Sequence, residues 1–438
     1  MTGDVQAPSS TFDLGHPVLK TTDRMTLGQW LAVALCAVGF LFDVAEVAFG
    51  NVLATIFSAP PHPAAPAQLS ILLAAPFAGG VVGAPIFGWI ADRSGRRLAI
   101  SSILACLGVF SIIGFFTQGI GALSLTRVLC GLCLGAYPPV MFAYLADVLP
   151  KESRGFIAFA VAAFGAIGAP CGIFFIRWLT PIHPYGIDAW RLALIVYGAS
   201  AIFSAVAFLG VPESARWLTE VSKRKSGTVS RNAAANSAGL PPDSARHATP
   251  LLTFRRIVFA LLSFLSPWAT STFPLLSGAL LLQKGLHLPQ ALLYMGISFF
   301  GPPIGTLLSG FVVDLIPRKT FLQICLYAML ACGLAFVVSS NLVVVVASSF
   351  LFTTLTTLYL PATNIYFGEV HTTLERGRAL SSLWAFNRIG AALAPLLLLP
   401  LMRASGPMTM FAVIAAALVV SSLLWLTCPS GARRMEIL

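Results

Sequence analysis

Long apolar stretches, most of them 20 residues or more, recur along nearly the whole chain and are separated by short polar connections. A helix rises about 1.5 Å per residue, so roughly 20 apolar residues cross the hydrocarbon core of a bilayer. The pattern predicts twelve spanning helices, over 28–55, 68–91, 98–118, 121–146, 156–179, 190–211, 256–283, 290–313, 320–339, 342–366, 379–402 and 408–427. Connections as short as 118–121 and 340–341 predict antiparallel hairpins. One segment breaks the rhythm. Residues 221–252 are polar, basic and rich in Ser, Ala, Gly and Pro, too poor in apolar surface to fold alone, and predict a flexible cytoplasmic linker. The resulting organisation is a tail (1–27), a six-helix bundle (28–220), the linker (221–252), a second six-helix bundle (253–428) and a short tail (429–438).

The polar positions at the ends of these runs repeat. Gly83, Gly88, Asp92, Arg96 and Arg97 recur 222 positions later as Gly305, Gly310, Asp314, Arg318 and Lys319. At the same offset Tyr137, Pro139, Tyr144, Asp147, Arg154 and Gly155 recur as Tyr359, Pro361, Tyr366, Glu369, Arg376 and Gly377. Two blocks in one register point to a duplicated half. The expected fold is an all-α membrane protein, two pseudo-symmetric bundles facing each other across a central cavity, as secondary transporters are built.

Composition agrees with membrane burial: only 10% of residues are charged, against about a quarter in soluble domains, and the mean hydropathy is +0.86. The net charge of +11 invites a nucleic-acid reading, but its distribution excludes one. If the spans alternate, basic residues concentrate on the side of the N-terminus, and the opposite loops hold only Arg177, Arg191, Lys284 and Arg403. That asymmetry predicts both termini in the cytoplasm of a cell membrane, the bacterial inner membrane being the expected one. The eight cysteines fall within or beside apolar runs, so neither a disulfide framework nor a metal site is expected, and no cofactor is implied. The first 27 residues lack the pattern of a cleaved signal.

The repeated block after the second and eighth spans combines close-packing glycines, an acid and two cations. Asp92, Arg96, Arg97, Asp314 and Arg318 are expected to meet Asp147, Arg154, Glu369 and Arg376 across the two halves. Glu213 and Arg216 add a pair on one half only. Such contacts would form a cytoplasmic gate that breaks when that side opens. The plainer alternative is that these charges only anchor topology.

GWIADRSGRR (88–97), the Arg127 start of the fourth span and PESARWL (212–218) resemble the major facilitator superfamily over nearly the whole chain. PESARWL and the Arg388-to-Pro395 stretch are similar to the branch of sugar porters, organic-ion transporters and aromatic-acid/proton symporters. Aromatic-acid symporters typically carry Asp-Gly-[Phe/Tyr]-Asp in the first span. Here Phe42-Asp43-Val44-Ala45-Glu46 departs from it but keeps a paired acid.

Four charges lie well inside spans: Asp43, Glu46, Arg127 and Arg388. Their counterparts 222 positions away are Leu265, Trp268, Ser349 and Ala166, so every one breaks the repeat. Architecture accounts for symmetric charges; asymmetric ones call for a functional account. A charge at mid-bilayer costs at least about 2.5–3.5 kcal/mol, so it faces a cavity and finds a partner. Asp43 and Glu46 share a helix face, and Glu46 lies at about the depth of Arg127. Arg127 is expected to pair with one of the two acids, and one acid to carry a proton; a permanent structural pair is the alternative. Arg388, about 15 Å into the eleventh span with Trp384 and Asn387 nearby, reads as a bidentate carboxylate site, or else as a cation bound to helix carbonyls. Tyr137, Tyr359 and Trp268 are candidate cavity walls, the tyrosines equally being packing residues. The expectation is a proton-coupled symporter of a small organic anion, an aromatic or heterocyclic carboxylate, acting as a monomer. A proton/drug antiporter is the alternative, hinted at by Gly165–Gly172, where Ala169 interrupts the glycine-proline motif of such exporters. Neither a sensor domain nor an enzyme's nucleophile set is visible.

Overall fold

The computed structural model describes residues 25–60, 63–150, 153–182, 186–214, 217–219, 221–222, 250–313, 315–370 and 376–428, with 250–253 and 376–379 described by backbone alone. Most of the proposed linker and both tails therefore lie outside the described residues. The first half comprises α1 (Leu27–Ile56), α2 (Pro66–Ser94), α3 (Arg96–Phe115), α4 (Ile120–Leu134), α5 (Tyr137–Val148), α6 (Arg154–Ala166), α7 (Gly168–Leu179) and α8 (Ala189–Phe208). The second comprises α9 (Pro250–Thr270), α10 (Thr272–Gln283), α11 (Leu288–Ser298), α12 (Gly301–Val312), α13 (Arg318–Val338), α14 (Leu342–Val370) and α15 (Arg376–Thr427).

Among the described residues eleven continuous runs are long and apolar enough to cross a bilayer. The last is two spans. α15 breaks at Gly406, whose φ of 87° suits glycine alone, and Pro407 follows it. Beyond the break the chain runs back along α13: Phe411 packs on Gly333 near the end of α13, while Ser422 bonds Gln323 near its start. Twelve spans in two halves result.

Four spans are each broken near the middle, which the apolar pattern did not announce. The breaks lie between α4 and α5, at Ile167, at Ser271 and at Phe299–Phe300. Prolines sit at or just beyond each of them (Pro138, Pro170, Pro274, Pro302), where the missing N–H and the ring disfavour a continuous helix.

The 222-residue repeat is physical. Gly79 and Gly83 of α2 lie on the backbone of Val128 and Leu132; Gly301 and Gly305 of α12 lie on that of Phe350 and Thr354, the same offset. No Cβ fits at these positions, so backbones touch directly. Gly88 and Gly310 face open space instead, so the tight packing expected of the whole block resides in its first glycine. Arg96 pairs with Asp147 at 2.9 Å, and Arg318 with Glu369 at 3.5 Å. Arg97 donates to the carbonyls of Leu209 and Val211 ending the sixth span, and Lys319 to those of Leu426 and Cys428 ending the twelfth.

The halves meet through α1 on α10, α7 on α11, α2 on α15 and α6 on α12. Burial along α1 shows where they close. Every residue from Ala48 to Thr55 is buried, as is every residue of α10 from Thr272 to Leu281. In Leu27–Val38, at the other end of α1, only Ala32 and Cys36 are buried. A helix covered on all faces is sandwiched by both halves. The molecule is therefore sealed at the end remote from the N-terminus.

Candidate substrate cavity and charge network

A cavity of about 220 Å³ lies between the halves, lined by Val44, Val47 and Asn51 of α1, Pro76 and Phe77 of α2, and Arg388 of α15. All four mid-span breaks reach it, through Leu134 and Gly135, Ala169, Thr270 and Ser271, and Phe299 and Pro302. Broken helices supply wall without a side chain in the way, and they free backbone polar groups beside the cavity.

Glu46 and Arg127 are each about 1% exposed. The Arg127 guanidinium forms an ion pair with Glu46 Oε1 through Nη1, and its Nη2 donates to the Glu46 carbonyl at 2.9 Å. Ser111 Oγ donates to the same carboxylate oxygen at 2.9 Å. The guanidinium stands 5.2 Å from the centre of the Phe49 ring, whose edge meets Tyr197. The structure thus chooses Glu46, not Asp43, as the partner of Arg127. Ser111 and Tyr197 had no signal in the sequence, because spans three and six reach α1 only through the fold; Phe49 stands one turn from Glu46 on α1, where an aromatic reads as ordinary apolar wall.

Asp43, 2% exposed, stands apart from this pair. Its Oδ1 has no hydrogen-bond partner, and the cation within Coulombic range is Arg388 from the opposite half. Arg388 packs its guanidinium 4.4 Å from the centre of the Trp384 ring, and its Nε is likewise unpartnered. Asn387 Nδ2 donates to the Ser263 carbonyl at 3.3 Å and ties α15 to α9. The indole N–H groups of Trp384 and Trp268 are both buried without an acceptor.

Tyr137 and Tyr359 do not line the cavity. Tyr137 is fully buried, donates to the Cys36 carbonyl and fills the space over Gly39. Tyr359 accepts from the Trp425 indole at 3.1 Å. Both tyrosines are packing residues of their own half, Tyr137 against the first span and Tyr359 against the twelfth, which corrects their reading as cavity walls.

Among the described residues, two ion pairs of the charged motifs, Arg96–Asp147 and Arg318–Glu369, lie within single halves. Glu213 does not pair with an arginine head group among the described residues. Its carboxylate accepts from the backbone N–H groups of Arg96, Arg97 and Ser214, capping the positive end of α3 where Gly95, at φ 99°, leaves room for it. Asp92 and Arg154 are exposed. Arg216 and Asp314 lie outside the described residues, as does the side chain of Arg376.

A sequence profile of the Major Facilitator Superfamily matches residues 31–301. Among characterised chains, rat (Rattus norvegicus) synaptic vesicle glycoprotein 2C is 33% identical over 158 residues, 34% of this chain; the match spans 21% of that longer protein. YdjK of Escherichia coli (strain K12), named provisionally as a metabolite transport protein, is 25% identical over 372 residues, 78% of this chain and 79% of its own length. The D-xylose–proton symporter has a similar fold, with a TM-score of 0.71 at 19% identity over 92% of this chain and 97% of that one. So has a partially occluded, inward-open form of the xylose transporter XylE from E. coli, with a TM-score of 0.72 at 18% identity, 92% of this chain and 98% of that one. With its twelve spans, its duplicated halves and its central cavity, this chain belongs to the major facilitator superfamily.

Proposed function

We propose that the protein is a proton-coupled symporter of a small organic anion, an aromatic or heterocyclic carboxylate, working by alternating access as a monomer. The observation that supports this reading is a buried arginine in the cavity wall, beside a tryptophan that is not itself part of the wall. Arg388 lines the cavity and its buried Nε–H lacks an acceptor, as do the indole N–H groups of Trp268 and Trp384, which lie outside the lining. Leaving a buried donor unpaired costs about 1–3 kcal/mol, and a carboxylate supplies the acceptor that Arg388 lacks. Of Asp43 and Glu46, on the helix that helps line the cavity, one carries the proton in this account, and Arg127 is the ion-pair partner of Glu46. The orientation inferred from the basic loops puts both termini in the cytoplasm, so the sealed end is the outer one and the state is inward-facing. The Arg96, Arg97, Asp147, Glu213, Arg318 and Glu369 contacts within each half then brace the cytoplasmic ends of the helices that form the gate when the inner side closes.

A proton–sugar symporter is the second reading, favoured by the fold shared with the D-xylose–proton symporter. A polyol asks for mixed donors and acceptors, whereas the unpartnered groups on the second half are mainly donors. The exporter alternative rests on Gly165, Gly168 and Gly172, and their contacts with Phe40 and Leu41 of α1 and Tyr197 of α8 give their smallness a packing role as well. The test is uptake into proteoliposomes under an inward proton gradient, with carboxylates, neutral sugars and cationic drugs as substrates. Carboxylate accumulation that Arg388→Gln abolishes supports the proposal; sugar accumulation insensitive to Arg388 refutes it.

A further inference from the structure

Among the described residues, the first half gives the cavity wall a single polar side chain. On α1 the wall is Val44, Val47, Ala48 and Asn51, spaced as one helix face. Asn51 ends that stripe at the sealed end: one turn further, Thr55 Oγ1 reaches Met295 Sγ of the opposite half at 3.8 Å. Asn51 is 6% exposed, and its carboxamide makes no hydrogen bond to another described residue. Its polar atoms open on the cavity. Across the cavity the second half offers Arg388, Thr270 and Ser271, and Thr270 commits its hydroxyl to the Ser266 carbonyl at 3.0 Å. The rest of the wall is apolar or glycine. An amide at this depth needs hydrogen-bond partners, and the protein supplies none.

We propose that Asn51 is the specificity residue of the cavity and binds a hydroxyl group on the cargo, at the end remote from its carboxylate. This deepens the anion reading and rests on it. A carboxamide carries two donors on Nδ2 and acceptor lone pairs on Oδ1, so it matches a hydroxyl, which donates and accepts at once. A methyl group in the same place would displace water from the amide and give it nothing in return. Sites that hydrogen-bond a hydroxyl therefore reject such isosteres far more strongly than apolar pockets discriminate by size. Volume narrows the class further. About 220 Å³ is below the roughly 300–1,000 Å³ of pockets for drug-sized ligands, and suits one ring with small substituents. Phe77 and Phe299, one from each half, supply apolar wall for that ring. The cargo is then a single-ring carboxylate bearing a hydroxyl, its anion on the second half and its hydroxyl on the first. Held at both ends, it bridges the halves beside the stretch of α1 where they close.

The experiment uses the purified full-length chain in lipid nanodiscs, with 3- and 4-hydroxybenzoate as probes and 3- and 4-methylbenzoate as isosteres without the hydroxyl. Affinities are read by calorimetry. The wild type should bind at least one hydroxybenzoate about tenfold or more tighter than the methylbenzoate of the same substitution. Asn51→Leu, close in volume, should lose about tenfold for that hydroxybenzoate and hold or gain affinity for its methyl isostere. A merely structural role would weaken both alike. Asn51→Ala, which leaves room rather than filling it, should abolish the preference as well, and melting curves check that both variants are folded. Equal binding of the paired compounds by the wild type, or a preference that survives in both variants, overturns the assignment and leaves the anion reading intact. If no benzoate binds the wild type at any pH, the anion reading fails, and the assignment with it.

Discussion

Cutting the Arg127–Glu46 pair from either side tests whether it is a structural brace. Both side chains are about 1% exposed, in the middle of an apolar bundle. Arg127→Met removes the ion pair, the bond to the Glu46 carbonyl and the contact with Phe49, and leaves Glu46 with Ser111 and Cys130 but without a cation. A lone charge costs about 2.5–3.5 kcal/mol on membrane insertion scales, and removing one member of a buried pair costs about 3–5 kcal/mol in soluble proteins. The two scales overlap near 3 kcal/mol, a factor on the order of a hundred in the folded population. Taking each half of roughly 200 residues as the melting unit, this lowers the apparent melting temperature by on the order of 10 °C. Glu46→Met strands the arginine and should cost as much. The double variant Glu46→Met/Arg127→Met removes both charges together and should return to within about 1 kcal/mol of the wild type, since packed apolar residues replace a buried pair at little cost. The assay is a thermal-shift double-mutant cycle on protein purified in detergent, repeated in nanodiscs. Single variants that melt with the wild type, or a double variant no better than either single one, would refute the reasoning.

Arg388→Lys keeps the charge but loses the two-pronged geometry and the stacking on Trp384, so carboxylate uptake should fall at least about tenfold while expression and melting hold. Gly83→Val should prevent stable expression, because its Cβ would meet the Leu132 backbone, whereas Gly88→Ala, in open space, should melt within about 0.5 kcal/mol of the wild type. Glu213→Ala uncaps α3 and should cost about 1–2 kcal/mol, with Glu213→Gln recovering part of it because an acceptor oxygen returns; melting curves of the two variants read the difference. In a cysteine-free background, Asn51→Cys should react with a membrane-impermeant thiol reagent from the side of the N-terminus and resist it from the other, since Val52–Thr55 beyond it are sealed against α10. Labelling from the remote side in the resting protein would contradict the closure read from burial.

The sequence by itself determined the number of spans, the duplicated halves and the four intramembrane charges without a twin. Apolar length is a local property, and a one-register repeat needs no contact to be seen. It also put Arg127 and Glu46 at one depth, because depth is only residue number multiplied by rise. Rotation about the helix axes, and which helix stands next to which, were decided by the tertiary structure. Those choices paired Glu46 rather than Asp43 with Arg127, left Asp43 Oδ1 buried without a hydrogen-bond partner, and buried Tyr137 and Tyr359 in packing. They also kept the Arg96–Asp147 and Arg318–Glu369 contacts within single halves and gathered four broken spans around one cavity. Repeated positions show that two sites share an environment; only the packed helices show what that environment is, because each contact joins residues far apart in the chain.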